Sequence, residues 1–307
     1  MYNCATTRQL IQQLRVNTQM RRLCGWNSVS GLPHESTFSR AFAEFAQSEL
    51  PQMLHQALIK ATQGQRLIGH MSRDSTAIEA RERFPYTPAE PSQRMRKKKK
   101  YQKRPKHAKA SDRGTRIERQ RKMTLEKMLA ELPKQCAIGV KTSSKGHQHY
   151  WRGYKLHLDV ADGQIPISAI LTGANVHDAN VAIPLMTMSA QRVTWLYDVM
   201  DSAYDTDVIL EQCASMNHVP IVQPHPRRNG RSKSILPKIF QPKLAPEMTW
   251  AQKERFKERS TIERVNARLK DEFGTRTIRV RGAAKVFAHL AFGLIALTVD
   301  QPIKLTG

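Results

Sequence analysis

Residues 255–273 read RFKERSTIERVNARLKDEF, and this stretch decides how the rest of the chain is interpreted. No Gly or Pro interrupts it, and most of its residues favour helix. At about 100° per residue, Ile262, Val265, Leu269 and Phe273 share one face, which predicts packing on a core. Phe256, Arg259, Glu263 and Lys270 fall on a second stripe about 90° round from the first. That stripe carries a single carboxylate, with an Arg one turn before it and a Lys two turns after it, while Glu272 lies on the opposite side. Read alone, it is a surface helix with spaced ion pairs.

Charge raises the stakes of that reading. The 307 residues carry a formal net charge of +24. Such an excess of Lys and Arg implies a polyanionic partner, most simply nucleic acid, with an anionic membrane surface as the other candidate. The four cysteines, Cys4, Cys24, Cys136 and Cys213, are scattered without a C-x-x-C pair. This argues against structural zinc or a disulfide framework and fits a reducing compartment. No secretory leader pattern opens the sequence, and the apolar run 286–299 is shorter than the ~20 residues of a membrane span, which predicts a buried helix.

Upstream, residues 7–23 predict one helix, a second starts at Ser36 or Thr37 with Phe38, Phe42 and Phe45 on one side, and residues 50–62 predict a third. This module is either a DNA-binding unit or a cover for the main domain. Residues 66–78, RLIGHMSRDSTAI, predict a first strand carrying Asp74, and a carboxylate on a buried strand is costly unless paired or bound to metal. Residues 81–149 open with prolines and run through Arg96, Lys97, Lys98, Lys99 and Lys100. Such a block repels itself when free and suits an arm that folds onto DNA phosphates. Within it, residues 116–132 predict a helix. Residues 153–173 hold two alternating β-rich runs joined at Asp162-Gly163, a hairpin signal. Asn175, His177 and Asp178 read as a loop that caps the next helix. Residues 193–200 predict an apolar strand ending at Asp201, where α/β sheets place chemistry, with Asp198 and Asp205 as rival acids. A helix over 202–213, a short strand over 219–222 and a basic, Pro-rich connection over 224–246 follow.

The spacing Phe256-x2-Arg259-x3-Glu263-x6-Lys270 resembles the Tyr-Arg-Glu-Lys signature of DDE insertion-sequence transposases, with Phe replacing Tyr. Asp74 then resembles the family's first catalytic acid. Asp201-Ser202-Ala203-Tyr204-Asp205 resembles its Asp-x-Gly-Tyr-Asp segment, with Ala203 in place of Gly. Residues 31–45 and the closing run from residue 279 also resemble family segments, and relatives often carry more chain upstream. The resemblance implies a mixed α/β (α+β) ribonuclease-H-like catalytic domain over residues 65–307. A basic insertion at about 81–149 would interrupt it, and an N-terminal helical module over residues 1–64 would precede it. It further implies that Asp74, Asp201 and Glu263 are catalytic and hold two Mg²⁺ ions, with Mn²⁺ able to substitute. Phe256, Arg259 and Lys270, with the cationic block 96–100, would contact double-stranded DNA at transposon ends and target. A homodimer in the synaptic complex and a bacterial cytoplasmic, nucleoid-associated location are implied too. Two rival readings are a DNA-binding transposase relic that has lost catalysis or part of its N-terminus, and a non-joining nuclease of the same fold.

Overall fold

The computed structural model describes residues 4, 6–82, 114–142, 147–224 and 248–306. Four helices come first: α1 (Thr7–Val16), α2 (Thr18–Leu23), α3 (Glu35–Gln47) and α4 (Leu50–Gln63). The single helix expected over 7–23 is broken at Asn17, whose backbone is extended and whose side chain accepts from the Met20 N–H to cap α2. Helix α3 is capped by His34 rather than by Ser36 or Thr37. Strand β1 (Leu67–Glu79) then enters the sheet, one residue later at each end than expected.

Helices α5 (Arg116–Gln120) and α6 (Leu125–Glu131) and strand β2 (Ala137–Thr142) follow. Residues 116–132 therefore form two short helices rather than one. The expected insertion at 81–149 also includes a strand of the sheet, because β2 pairs antiparallel with the start of β3 (Gln148–Ala161). Strand β4 (Ile165–Gly173) completes the hairpin, and Gly163 and Gln164 in its turn both adopt positive φ. The chain continues through α7 (Ala179–Ala190), β5 (Thr194–Met200), a 3₁₀ turn at Ser202–Tyr204, α8 (Asp207–Ser215) and β6 (Val219–Val222). It ends with α9 (Trp250–Phe256), a 3₁₀ turn at Lys257–Arg259, α10 (Ser260–Asp271) and α11 (Ala283–Thr306).

The six-stranded sheet runs β2-β3-β1-β5-β6, with β4 also on β3. Strands β3 and β4 are antiparallel to their neighbours, whereas β1, β5 and β6 are parallel. Alternation along β1 sends successive side chains to opposite faces. One face packs Ile78, Leu156, Leu158 and Val160 against Ile262, Val265 and Leu269 of α10 and Val286, Leu290 and Leu294 of α11. Each fully buried Leu, Ile or Val there contributes about 1.5–3 kcal/mol. The other face packs Met71, Ile167 and Trp195 against α7 and α8, with Ile59 of α4 joining the cluster. Helix α3 rests on α11 through Phe42 and Phe45, whose rings lie 6.3 and 6.4 Å from that of Phe292.

Helix α11 is longer than its apolar run suggested, and it is long and apolar enough to cross a membrane. Its Val286, Ala288, Leu290, Ala291, Leu294 and Leu297 are buried, so it serves as a core helix.

Candidate active site

The parallel pairing of β1 with β5 ends at Arg73↔Met200, so Asp74 and Asp201 are the next residues on two neighbouring strands. Strands lie about 4.8 Å apart, which sets the two residues side by side where the parallel pairing ends. The Ser75 N–H donates to Asp74 Oδ1 at 2.7 Å, and the Ala203 N–H donates to Asp201 Oδ1 at 2.9 Å. Asp201 thereby caps the 3₁₀ turn at Ser202–Tyr204, and Ala203 is not among the positive-φ residues, so the turn does not require the Gly. Burial pushes the Asp74 carboxyl up to about 6. The charges of Asp201 and Asp178 act in the same direction, against the Ser75 N–H and Arg259.

Glu263 stands in the first turn of α10, next to the break that replaces the uninterrupted helix expected over 255–273. The 3₁₀ turn at Lys257–Arg259 is tied to β1 by Ser72 Oγ, which donates to the Glu258 carbonyl at 3.0 Å. The tie aims Arg259 into the site. Its Nη1 donates to Glu263 Oε1 at 2.6 Å, and its Nη2 lies 3.4 Å from Asp74 Oδ2. Glu263 is 57% exposed and reaches Asp74 only through this guanidinium. The structure thus brings two of the three acids together and sets the third across an arginine. Among the described residues, no group of three His, Cys, Asp or Glu is spaced to hold a metal ion.

The remaining expected residues are dispersed. Phe256 is half-buried at the end of α9, and the neighbouring Arg255 lies over the Tyr197 ring at 4.6 Å. Lys270 is eleven residues beyond Arg259, about 17 Å along the helix axis. Its own burial, followed by the Arg276 and Lys141 cations, holds its ammonium below the usual lysine range. Arg96, Lys97, Lys98, Lys99 and Lys100 lie outside the described residues, as does most of the 224–246 connection.

Two polar groupings escaped the sequence reading. Asp178 makes no side-chain cap on α7 but accepts from Ser75 Oγ and from Lys155 Nζ, each at 2.9 Å. Burial opposes its charge, yet His157 and Lys155 hold its carboxyl below the ordinary value. The buried Tyr204 hydroxyl has no hydrogen-bond partner among the described residues and senses Asp178, Asp74 and Asp201 together. Behind Asp74, Arg73 is fully buried, with Nε 2.7 Å from Asp159 Oδ1 and Nη1 3.2 Å from Asp198 Oδ1. Asp198 also meets His218 Nδ1 at 3.2 Å, so this rival acid is committed to the interior. The Asn175-Val176-His177-Asp178 run was a visible signal. Its partner Ser75, 103 residues away, was not.

A mixed sheet of this strand order, with helices on both faces and two acids just past the parallel β1–β5 pairing, is consistent with a ribonuclease-H-like domain. Residues 116–299, more than half of the chain, match the family described as the transposase DDE domain, and residues 1–44 match a second family described as a transposase domain. The chain belongs to the DDE transposase family. Asp201 and Glu263 fall inside the larger match, and Asp74 precedes it. No curated protein and no solved structure matches the chain.

Proposed function

We propose that this transposase cleaves DNA strands at insertion-sequence ends and joins the freed 3′-hydroxyl to target DNA, using divalent metal held by Asp74, Asp201 and Glu263. The observation that carries the reading is the adjacency of Asp74 and Asp201, the residues that follow the last parallel pair of β1 and β5. These are hard oxygen donors, and the second raises the proton affinity of the first, a repulsion that a bound cation relieves. The pair therefore fits Mg²⁺ or Mn²⁺. Bound divalent metal would neutralise charge on the attacking and leaving oxygens of the phosphodiester.

The chain's own residues carry the rest. Glu263 joins the pair once Arg259 releases it, and the freed guanidinium takes a phosphate oxygen in a two-pronged contact. Lys270, farther along α10, holds the backbone of the same duplex. The N-terminal module of residues 1–64 and the cationic block 96–100 add DNA contacts, two copies synapse the two ends, and the protein works among bacterial cytoplasmic DNA.

The Arg259 bridge favours one second reading, a DNA-binding relic that no longer cuts. Purified protein with Mg²⁺ and a plasmid bearing the element's ends separates the cases. Strand transfer supports the proposal, cleavage without joining points to a nuclease, and binding without cleavage points to the relic.

A further inference from the structure

Strand β3 outruns its neighbours. Its residues 153–161 lie between β1 and β4, but residues 148–153 pair with β2 on a ribbon that continues past the end of β1, where Glu79 meets Gly153. One face of this ribbon is closed. Trp151 lies over Gly139, where a Cβ would run into the indole ring, and its Nε1 donates to the Tyr154 carbonyl at 3.1 Å. The other face is open: Ile138, Val140 and Tyr150 are 56%, 53% and 60% exposed, and Val140 stands directly opposite Tyr150. Residues 137–142 and 148–153 contain no Asp or Glu, and Lys141, paired with His149, adds an exposed cation on the Trp151 side of the ribbon.

Its position relative to the acid pair is defined twice. Asp74 pairs with Leu158, five residues or about 17 Å of strand from Gly153. On the helix layer, Arg259 to Lys270 covers a similar ~17 Å, and Lys270 senses Lys141 there. Cations thus run from the acid site along α10 to the ribbon.

We infer that the ribbon of residues 137–142 and 148–153 is a DNA-binding arm that enters a groove of the duplex flanking the scissile phosphate. A major groove admits a two-stranded β-ribbon, and apolar side chains there meet thymine methyls and sugar edges. Lys141 takes a backbone phosphate, while Ile138, Val140 and Tyr150 face the groove. A row of three large apolar side chains has no role in a purely electrostatic contact, but it suits a groove. At 3.4 Å per nucleotide along a strand, the ribbon's span of about 17–33 Å from the acid pair corresponds to roughly five to ten nucleotides. The location relative to the cut rests on the proposed role of Asp74 and Asp201, whereas DNA binding by the ribbon does not.

The test uses the full chain in EDTA with a fluorescent mixed-sequence duplex, titrated over a range of salt. Lys141→Glu is expected to lower the slope of log affinity against log salt by about one. Combined Ile138→Thr, Val140→Thr and Tyr150→Ser is expected to weaken binding at least about fivefold, on the order of a mismatched contact. Lys127→Glu, on the exposed side of α6, serves as a charge control and is expected to weaken binding less than Lys141→Glu. Wild-type affinity and slope in both ribbon variants would overturn the inference. So would unchanged DNA binding with altered sedimentation, which would make the ribbon a contact between copies. If the apolar variant misfolds by thermal melt, Tyr150→Cys with a thiol-tethered duplex decides: an adduct supports the arm and its absence rejects it. Loss of DNA binding in the ribbon variants, alongside wild-type protein that never cuts, would keep the arm and discard the catalytic reading.

Discussion

Arg259 Nη2 lies 3.4 Å from Asp74 Oδ2, and the same guanidinium donates to Glu263 at 2.6 Å. The protein thereby neutralises, with its own cation, the space between two acids proposed to hold metal. Metal and Arg259 then compete. Arg259→Ala should tighten Mn²⁺ binding to DNA-free protein by about fivefold, corresponding to the ~1 kcal/mol of a partly exposed ion pair, while weakening DNA cleavage. Mn²⁺ titration followed by electron paramagnetic resonance measures this, and weaker metal binding in the variant would reject the competition.

Asp74 gives the metal-free protein a pH signature. Its carboxyl rises from 3.8 to about 6, first because it is buried and then because Asp201 lies beside it. Between those values the native state keeps a proton that the unfolded chain has released, so raising the pH removes stability. The loss begins near pH 4 and is complete above pH 6. At about 1.4 kcal/mol per unit it amounts to at most roughly 3 kcal/mol. In EDTA, Asp74→Asn should gain stability over wild type across that window. Parallel curves in denaturant titrations would show that Asp74 ionises freely.

The ion network behind the site is structural. Arg73 has no exposed surface, and its removal leaves Asp159 and Asp198 buried together. Arg73→Met should cost about 3–5 kcal/mol, whereas replacing Arg73, Asp159 and Asp198 together by apolar residues should recover most of it. Urea unfolding tests both variants, and a single-site cost below about 1 kcal/mol would mean that water reaches the network.

How much of this was legible depended on range along the chain. Ile262, Val265 and Leu269 were readable as a core face because a helix repeats locally, and all three are buried. The Asp162-Gly163 hairpin and the strand over 219–222 were readable for the same reason. The break at Lys257–Arg259 was not, because it coincides with the hydrogen bond from Ser72, far upstream. Strand β2 was hidden because Ala137, Gly139 and Lys141 carry weak β signal, and its place depends on Trp151 filling the space over Gly139. Asp74 and Asp201 stood out on their strands and took a catalytic role through family resemblance, and their adjacency appears in the β1–β5 register. Asp178 was read as a cap, since its partners Ser75 and Lys155 come from two other strands.

The most direct measurement of the central claim is an anomalous difference map from crystals of the protein with a DNA end and Mn²⁺. Expected are peaks at about 2.0–2.2 Å, the usual range for such oxygen ligands, from carboxylate oxygens of Asp74, Asp201 and Glu263, with Arg259 turned to a phosphate. Manganese bound elsewhere, or Glu263 still joined to Arg259 beside the DNA, would contradict it.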